Sequence, residues 1–134
     1  MEKAVLGLAN HWYPLAINTA VAFTLPSQKV IKLIAAPVFI ATKLEAFADR
    51  GKGDFLFSHD LGDIIAVIDG RDSLADECKH QIPELREYLQ LQFVQLIENR
   101  AFMQALSGHL PADSAGQSRL PLLEAKLREL ARLI

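Results

Sequence analysis

Two acidic and two basic residues are the groups in this sequence whose types and spacing could do chemistry. Asp60 and Asp63 are three residues apart and Lys43 and Arg50 are seven apart, so each pair lies on one side of a helix. Clustered carboxylates are what Mg²⁺ requires, and two cations on one side can hold a phosphate. The same residues also suit a helical hairpin with a satisfied ion-pair network, and spacing alone favours that second interpretation.

The basic pair belongs to a helix that is predicted to begin at Pro37 and to end at Gly51. Proline is tolerated in a first helical turn, where the amide that it lacks would have no intrahelical partner. Three apolar residues at i, i+4 and i+7 predict a stripe that faces a core, and these are Ile40, Leu44 and Phe47. Lys43 and Arg50 therefore share a neighbouring stripe and point the same way.

The acidic pair belongs to a second predicted helix, which runs to about residue 69. A turn with two glycines, 51–54, connects the two helices, and Ser58 or Asp60 offers an oxygen to cap the second one. His59 precedes Asp63 by four residues and can reach it. The predicted buried face consists of Leu61, Ile64, Ile65 and Ile68. The two helices together form a hairpin that brings the basic and acidic residues near one another.

The stretch 37–71 contains A-T-K-L-E-A-F, then R-G-x-G-D and S-H-D-L-x-D-I-I, and then D-G-R. With these motifs the chain resembles nucleotidyltransferase-fold proteins of the AbiEii-like, abortive-infection toxin type. Stretches 6–13 and 30–37 resemble the same family, so the likeness covers roughly residues 5–80. The patterns along the chain predict an α+β fold, predominantly helical with one β-hairpin, and the resemblance implies that it is similar to the C-terminal half of that family's fold without its metal-binding strands. It also implies NTP and Mg²⁺ as cofactors.

The resemblance assigns roles to particular residues. Lys43 is implied to meet the nucleotide triphosphate, and Asp60 and Asp63 are implied to complete the site. The candidate nucleotide- or phosphate-binding residues are Lys43, Arg50, Lys52, Ser58 and His59. Asp60 and Asp63 are the candidate catalytic residues, although they do not make a complete set.

The family's metal-binding motifs are absent from these 134 residues. They contain no Gly-Ser dipeptide and no D-x-D pair, whereas the family holds its metals with a Gly-Ser turn, a D-x-D strand and a third acid. Two Mg²⁺ ions need carboxylates at close, rigid spacing, so we expect no metal site and leave enzymatic activity open. The chain is expected to correspond to the part of the fold that follows the third metal-binding strand. Gly62 stands where the family more often has Glu, which removes a negative charge.

Length and composition indicate the number of domains and bear on nucleic-acid binding, disulfide formation and membrane association. The length predicts one compact domain, and 51% hydrophobic residues supply a core for it. A net charge of −2 makes a nucleic-acid partner possible but not implied. Cys78, the single cysteine, excludes an internal disulfide, fits a reducing compartment and is expected to be buried and inert. Without a signal-peptide pattern or an apolar run near ~20 residues, we expect a cytoplasmic protein with no membrane partner.

Residues outside the helical hairpin predict the remaining architecture. Trp12 and Tyr13 are expected to anchor a short helix by burial. Period-two patterning around the turn P-S-Q predicts a β-hairpin over 21–36. Because two strands alone are marginally stable, the hairpin requires a copy of itself in a homo-oligomer or strands from an upstream polypeptide. The apolar stretch 4–8 is also expected to pack against another apolar surface.

Three regions are predicted from the chain order. Residues 1–110 form the nucleotidyltransferase-like C-terminal region, 111–118 form a small, polar linker, and 119–134 form an amphipathic helix. The last helix is expected to dock onto a long helix opened by Pro83, in preference to a zipper with another chain, because two heptads are too few for a coiled coil.

Two classes of function remain. The first is a nucleotidyltransferase-like protein, inactive alone. The alternative is a non-catalytic binding or assembly module, such as one half of a split toxin–antitoxin-type nucleotidyltransferase.

Overall fold

The computed structural model describes residues 10–50 and 53–134. The order of elements is α1 (Tyr13–Thr19), β1 (Val21–Thr24), β2 (Val30–Leu33), α2 (Ala36–Arg50), α3 (His59–Gly70), α4 (Leu74–Lys79), α5 (Pro83–Ile97), α6 (Arg100–Ala105), a 3₁₀ helix (Leu106–His109), α7 (Ser114–Gln117) and α8 (Leu120–Leu130). The described residues are therefore predominantly helical with one antiparallel hairpin, which confirms the predicted α+β class. None of the described helices has the length and apolar character needed to cross a membrane.

Helices α2 and α3 pack against each other through the two apolar stripes that the sequence predicts. The four predicted α3 residues are all buried, and in α2 the stripe buries Ile40 and Leu44 and half-buries Phe47. Burial of one such side chain contributes about 1.5–3 kcal/mol, whereas an exposed ion pair contributes about 0–1 kcal/mol. Apolar packing therefore supplies most of the free energy that holds α2 against α3, and the charged residues contribute less.

The connection between α2 and α3 is built by local side-chain hydrogen bonds. Asp54 Oδ1 accepts hydrogen bonds from the amides of Leu56, at 3.2 Å, and Phe57, at 2.8 Å. Gly53 has φ of +75°, a left-handed conformation that glycine adopts without a Cβ clash. Ser58 Oγ then accepts from the Leu61 amide at 3.3 Å, so Ser58, one of the two predicted caps, begins α3.

The β-hairpin pairs β1 with β2 in antiparallel register, as predicted. Val21 faces Leu33 and Phe23 faces Ile31, so these four side chains share one apolar side of the ribbon. Every residue of β1 is exposed, including Val21 at 66% and Phe23 at 50%. Within the described residues the sheet has two strands, so the outer edge of each strand is left without a neighbouring strand.

The C-terminal helix α8 docks onto the rest of the fold. Its buried residues, Leu123, Leu127 and Leu130, belong to the same core cluster as Leu89 of α5 and Ile65 of α3. Packing of α8 on α5 confirms the predicted docking on the helix that Pro83 opens. A single cluster of buried side chains runs from α1 to Leu133, just beyond α8.

The segment 111–118 forms a compact turn. Asp113 caps α7 by accepting from the Gly116 amide at 2.7 Å, and Gln117 Nε2 donates to the carbonyls of Ser107 and Pro111. Gly116 is buried against Pro111, where an added Cβ would lie 2.4 Å from the Pro111 carbonyl oxygen. The division of the chain at this segment stays a prediction, but the segment itself has a defined structure.

The burial predicted for Trp12, Tyr13 and Cys78 is found for two of these three side chains. Trp12 is buried at 4% exposure and packs against the Tyr88 ring at 5.1 Å, so it is part of the core as expected. Tyr13 is 40% exposed, and its predicted role as a second buried anchor is wrong because α1 turns that side outward. Cys78 is fully buried as expected, and burial raises the pKa of its thiol to about 12.

Candidate functional site

Arg50 and Asp60 form the most specific polar contact of the candidate site. Arg50 Nε lies 2.8 Å from Asp60 Oδ2 and its NH2 lies 2.9 Å from Oδ1, a two-point interaction between the end of α2 and the first turn of α3. The Asp60 side chain is 6% exposed and the Arg50 side chain 62% exposed. The Arg50 hydrogen bond, opposed by burial, lowers the pKa of the Asp60 carboxyl. Asp60 is therefore held as an anion at neutral pH.

Lys43 joins the two acids of α3. Its Nζ lies 2.9 Å from Asp63 Oδ2 and 3.5 Å from Asp60 Oδ1, and it also lies 5.5 Å from the centre of the Phe39 ring. The hydrogen bond with Asp63 raises the pKa of Lys43 above its ordinary value. The structure thus brings together the two basic and two acidic residues of the predicted helical hairpin.

The four charges largely satisfy one another. Two cations face two carboxylates, so the cluster has no excess positive charge to attract a triphosphate. Lys43 is directed at both acids, but the guanidinium of Arg50 has five N–H donors and only two of them bond Asp60. An anion can therefore approach Arg50 from its exposed side without displacing Asp60. Such binding would be weak and sensitive to salt.

Mg²⁺ does not fit the described side chains of this cluster. Both Asp60 oxygens accept from Arg50, and Asp63 Oδ2 contacts Lys43, so a divalent ion would compete with a cation at each acid. In the described parts of the chain, no group of three or more His, Cys, Asp or Glu side chains could hold a metal ion. Six oxygen ligands around Mg²⁺ would have to come mostly from elsewhere.

The other candidate residues are placed as follows. Ser58 is half-buried and its hydroxyl oxygen is used as the cap of α3. His59 is exposed at the start of α3, and within 10–50 and 53–134 no hydrogen bond joins it to Asp63. Lys52 and Gly51 lie outside the described residues, so their predicted contribution stays a prediction.

Residues far along the chain contact both ends of α3, and sequence spacing gave no signal for them. His109 Nε2 lies 2.6 Å from the Phe55 carbonyl oxygen, just before α3. At the other end, Arg119 NH2 lies 2.8 Å from Asp69 Oδ2, and Lys126 Nζ lies 3.0 Å from the Asp69 carbonyl oxygen. A cation at the C-terminus of a helix interacts favourably with its dipole. These contacts fix α3 from the C-terminal part of the chain.

Comparison with known proteins returns no relative. The chain matches no protein-family model, no curated protein and no solved structure.

Proposed function

We propose that this chain is a nucleotidyltransferase-like protein that contributes one side of a nucleotide-transfer site and does not transfer nucleotides by itself. The observation that carries the proposal is the position of Lys43, whose Nζ contacts Asp60 and Asp63 together. These are the three residues to which the AbiEii-like resemblance assigns roles, and they come from two different helices. Their meeting is what a shared site requires.

The absence of activity in the isolated chain follows from how the acids are used. Nucleotidyl transfer of this type depends on Mg²⁺ held by rigid carboxylates, and the 134 residues contain neither Gly-Ser nor D-x-D. Asp60 and Asp63 are engaged by Arg50 and Lys43. A polypeptide that carries the metal-binding strands, continuous with this chain or separate from it, would have to supply the remaining carboxylates. The NTP, the acceptor hydroxyl and a cytoplasmic location belong to this proposal as implied by the resemblance.

A second candidate function is a non-catalytic assembly module, and the exposed hairpin favours it. Val21, Phe23 and Leu33 line one side of the ribbon and are each about half exposed or more, at 66%, 50% and 47%. Exposed strand edges beside apolar side chains are typical of surfaces that pair with another chain. The partner would be a second copy of this chain or the polypeptide with the missing strands. One half of a split toxin–antitoxin-type nucleotidyltransferase would combine both candidates.

The experiment that tests the first proposal is a labelling assay. The purified 134-residue chain is incubated with labelled NTPs, Mg²⁺ or Mn²⁺, and a mixture of nucleic-acid, protein and small-molecule acceptors. We expect no label above that of a heat-denatured control. Label that is incorporated by the isolated chain and lost in Asp60→Ala would overturn its proposed inactivity.

A second arm distinguishes the two candidates. The chain is co-expressed with the polypeptide encoded next to it, wherever that polypeptide carries Gly-Ser and D-x-D. Transfer that appears in the complex and is lost in Lys43→Ala supports the split nucleotidyltransferase. A stable complex that transfers nothing under any of these conditions supports the assembly module instead.

A further inference from the structure

The loop that leads into α3 is held by a turn that lies 54 residues later in the chain. His109, at the end of the 3₁₀ helix, has its Nε2 2.6 Å from the carbonyl oxygen of Phe55. Since a carbonyl oxygen only accepts, the proton of this hydrogen bond is on Nε2 of the imidazole. The bond fixes the direction of one peptide group in the loop, which apolar packing alone does not do.

The same imidazole lies against the first turn of α3. A Cβ placed on Gly62 would be 4.0 Å from His109 Nδ1, which is ordinary contact distance. Gly62 follows the buried Asp60 by two residues. The ring of His109 is therefore hydrogen-bonded to the loop before α3 and lies beside the turn of α3 that presents Asp60 to Arg50.

Two apolar residues of the loop, Phe55 and Leu56, place it on the same surface. Leu56 covers Gly108, where an added Cβ would lie 2.4 Å from Leu56 Cδ1. The Phe55 ring packs between Phe47 of α2, at 5.6 Å, and Phe102 of α6, at 6.0 Å between ring centres. The loop is thus positioned from both sides, by α2 and by the α6–3₁₀ segment.

We infer that His109 is a positioning residue for the candidate site. It holds the loop 53–58 and the first turn of α3 in the arrangement in which Ser58 caps α3 and Asp60 meets Arg50. The inference rests on the proposed function only in treating that cluster as the site. The positioning itself is a property of the folded chain without any nucleotide.

Amide hydrogen exchange measured by NMR on the full chain tests this inference. The reporters are the amides of Phe57 and Leu61, which donate to Asp54 and Ser58. In His109→Leu we expect exchange at these amides to rise on the order of tenfold, as for the loss of one hydrogen bond, with smaller changes at core amides such as Ile65 and Leu89. The matched control is His80→Leu, because His80 is an exposed histidine whose ring contacts only its own helix turn in the described structure.

A pair of conservative variants separates positioning from packing. In His109→Gln the side-chain amide can place a donor where Nε2 stands, whereas in His109→Asn it is one methylene shorter and cannot reach Phe55. We expect protection of the two reporter amides to be near wild type in the glutamine variant and lost in the asparagine variant. This comparison also serves if His109→Leu fails to fold.

Three results would overturn the inference. These are reporter exchange that stays at the wild-type rate in both His109→Leu and His109→Asn, exchange that rises equally at core amides, and a glutamine variant as unprotected as the asparagine variant. Since no nucleotide is present, each leaves the proposed function untouched. Conversely, label incorporation by the isolated chain would overturn the proposed inactivity without changing the exchange result.

Discussion

The carboxylate of Asp60 is nearly buried while its partner, the guanidinium of Arg50, is mostly exposed, with side-chain exposures of 6% and 62%. An acid in this position depends on its cation, because a buried carboxylate without a partner would be costly. The exposed guanidinium of Arg50, in contrast, is hydrated on one side, so breaking the pair costs it less free energy. The asymmetry predicts that removing Arg50, which leaves the Asp60 carboxylate buried without that cation, destabilises the protein more than removing Asp60, which leaves an exposed guanidinium.

We expect Asp60→Asn to lower the free energy of unfolding by about 1 kcal/mol at pH 7, since two charge-assisted hydrogen bonds are replaced by weaker ones and solvent screens Arg50. Urea unfolding measures the change. The control is Asp76→Asn, because the Asp76 side chain is 78% exposed and its carboxylate lies 3.9 Å from the His80 ring. Equal losses in the two variants would contradict a structural role for the buried acid.

The same pair predicts a dependence on pH. Arg50 lowers the pKa of Asp60 in the folded protein, so the stabilisation is fully present above the unfolded value of about 3.9 and is lost as the pH falls through the folded pKa. The difference in unfolding free energy between wild type and Asp60→Asn should therefore shrink as the pH is lowered below about 4. Urea titrations at several acidic pH values check this. A difference that stays constant to the lowest pH at which the protein folds would show that ionisation of Asp60 is not its source.

Gly116 and Gly70 make a second matched pair. In Gly116→Ala the new Cβ would lie 2.4 Å from the Pro111 carbonyl oxygen, and backbone must move to relieve the contact. We expect a loss of roughly 1–3 kcal/mol, as for overpacking, whereas Gly70→Ala meets nothing within 4 Å and should change stability little. Thermal unfolding of the two variants measures the difference. A neutral Gly116→Ala would mean that the turn 111–118 relaxes freely.

Residual anion binding is predicted at the exposed side of the cluster. Titration with ATP or sulfate should raise the thermal midpoint slightly at low salt and not at high salt, because charges in water are screened over about 8 Å at physiological ionic strength. The increase should be smaller in Arg50→Ala, which removes the guanidinium whose remaining donors face solvent, and unchanged in Lys79→Ala, which removes an exposed lysine of α4. Identical shifts for Arg50→Ala and wild type would place the anion elsewhere.

The sequence predicts the part of the site that depends on local spacing. Lys43, Asp60 and Asp63 lie on two amphipathic helices whose apolar stripes determine how they pack, so the meeting of their side chains follows from the pattern. The contact of His109 with Phe55 has no such signal, because it depends on how the helices after residue 83 return to α2 and α3. The predicted burial of Tyr13 is wrong for a similar reason. Either Trp12 or Tyr13 at the start of the short α1 can face the core, and helix propensity does not decide which one does.

The structure of the polar stretch 111–118 is also not predictable from its composition. Small and polar residues predict a loop, but the same residues supply a cap at Asp113 and a close approach at Gly116. These contacts are local, yet they become visible only once the Pro111 carbonyl is known to face the turn. Composition alone does not separate a flexible linker from a compact, hydrogen-bonded turn.

The last prediction concerns association through the hairpin β1–β2. Its apolar side exposes Val21, Phe23 and Leu33, and within the described residues neither strand has a second neighbour. Covering about 400 Å² of apolar surface on each chain would contribute about 10 kcal/mol per chain before the entropy of association is subtracted. That gain is large enough for a homodimer, in which the apolar sides of two hairpins pack against each other, to form at micromolar concentration.

Light scattering over a hundredfold range of concentration is the direct measurement, and we expect a mass that falls from dimer toward monomer on dilution. Phe23→Glu should shift this equilibrium toward monomer, because a charge on the apolar side would be buried without a partner. Leu91→Glu, on the exposed side of α5 at 54% exposure, is the matched control and should leave it unchanged. A monomer mass at every concentration would show that the hairpin does not associate with a second copy. A different polypeptide would then be the remaining candidate to cover it.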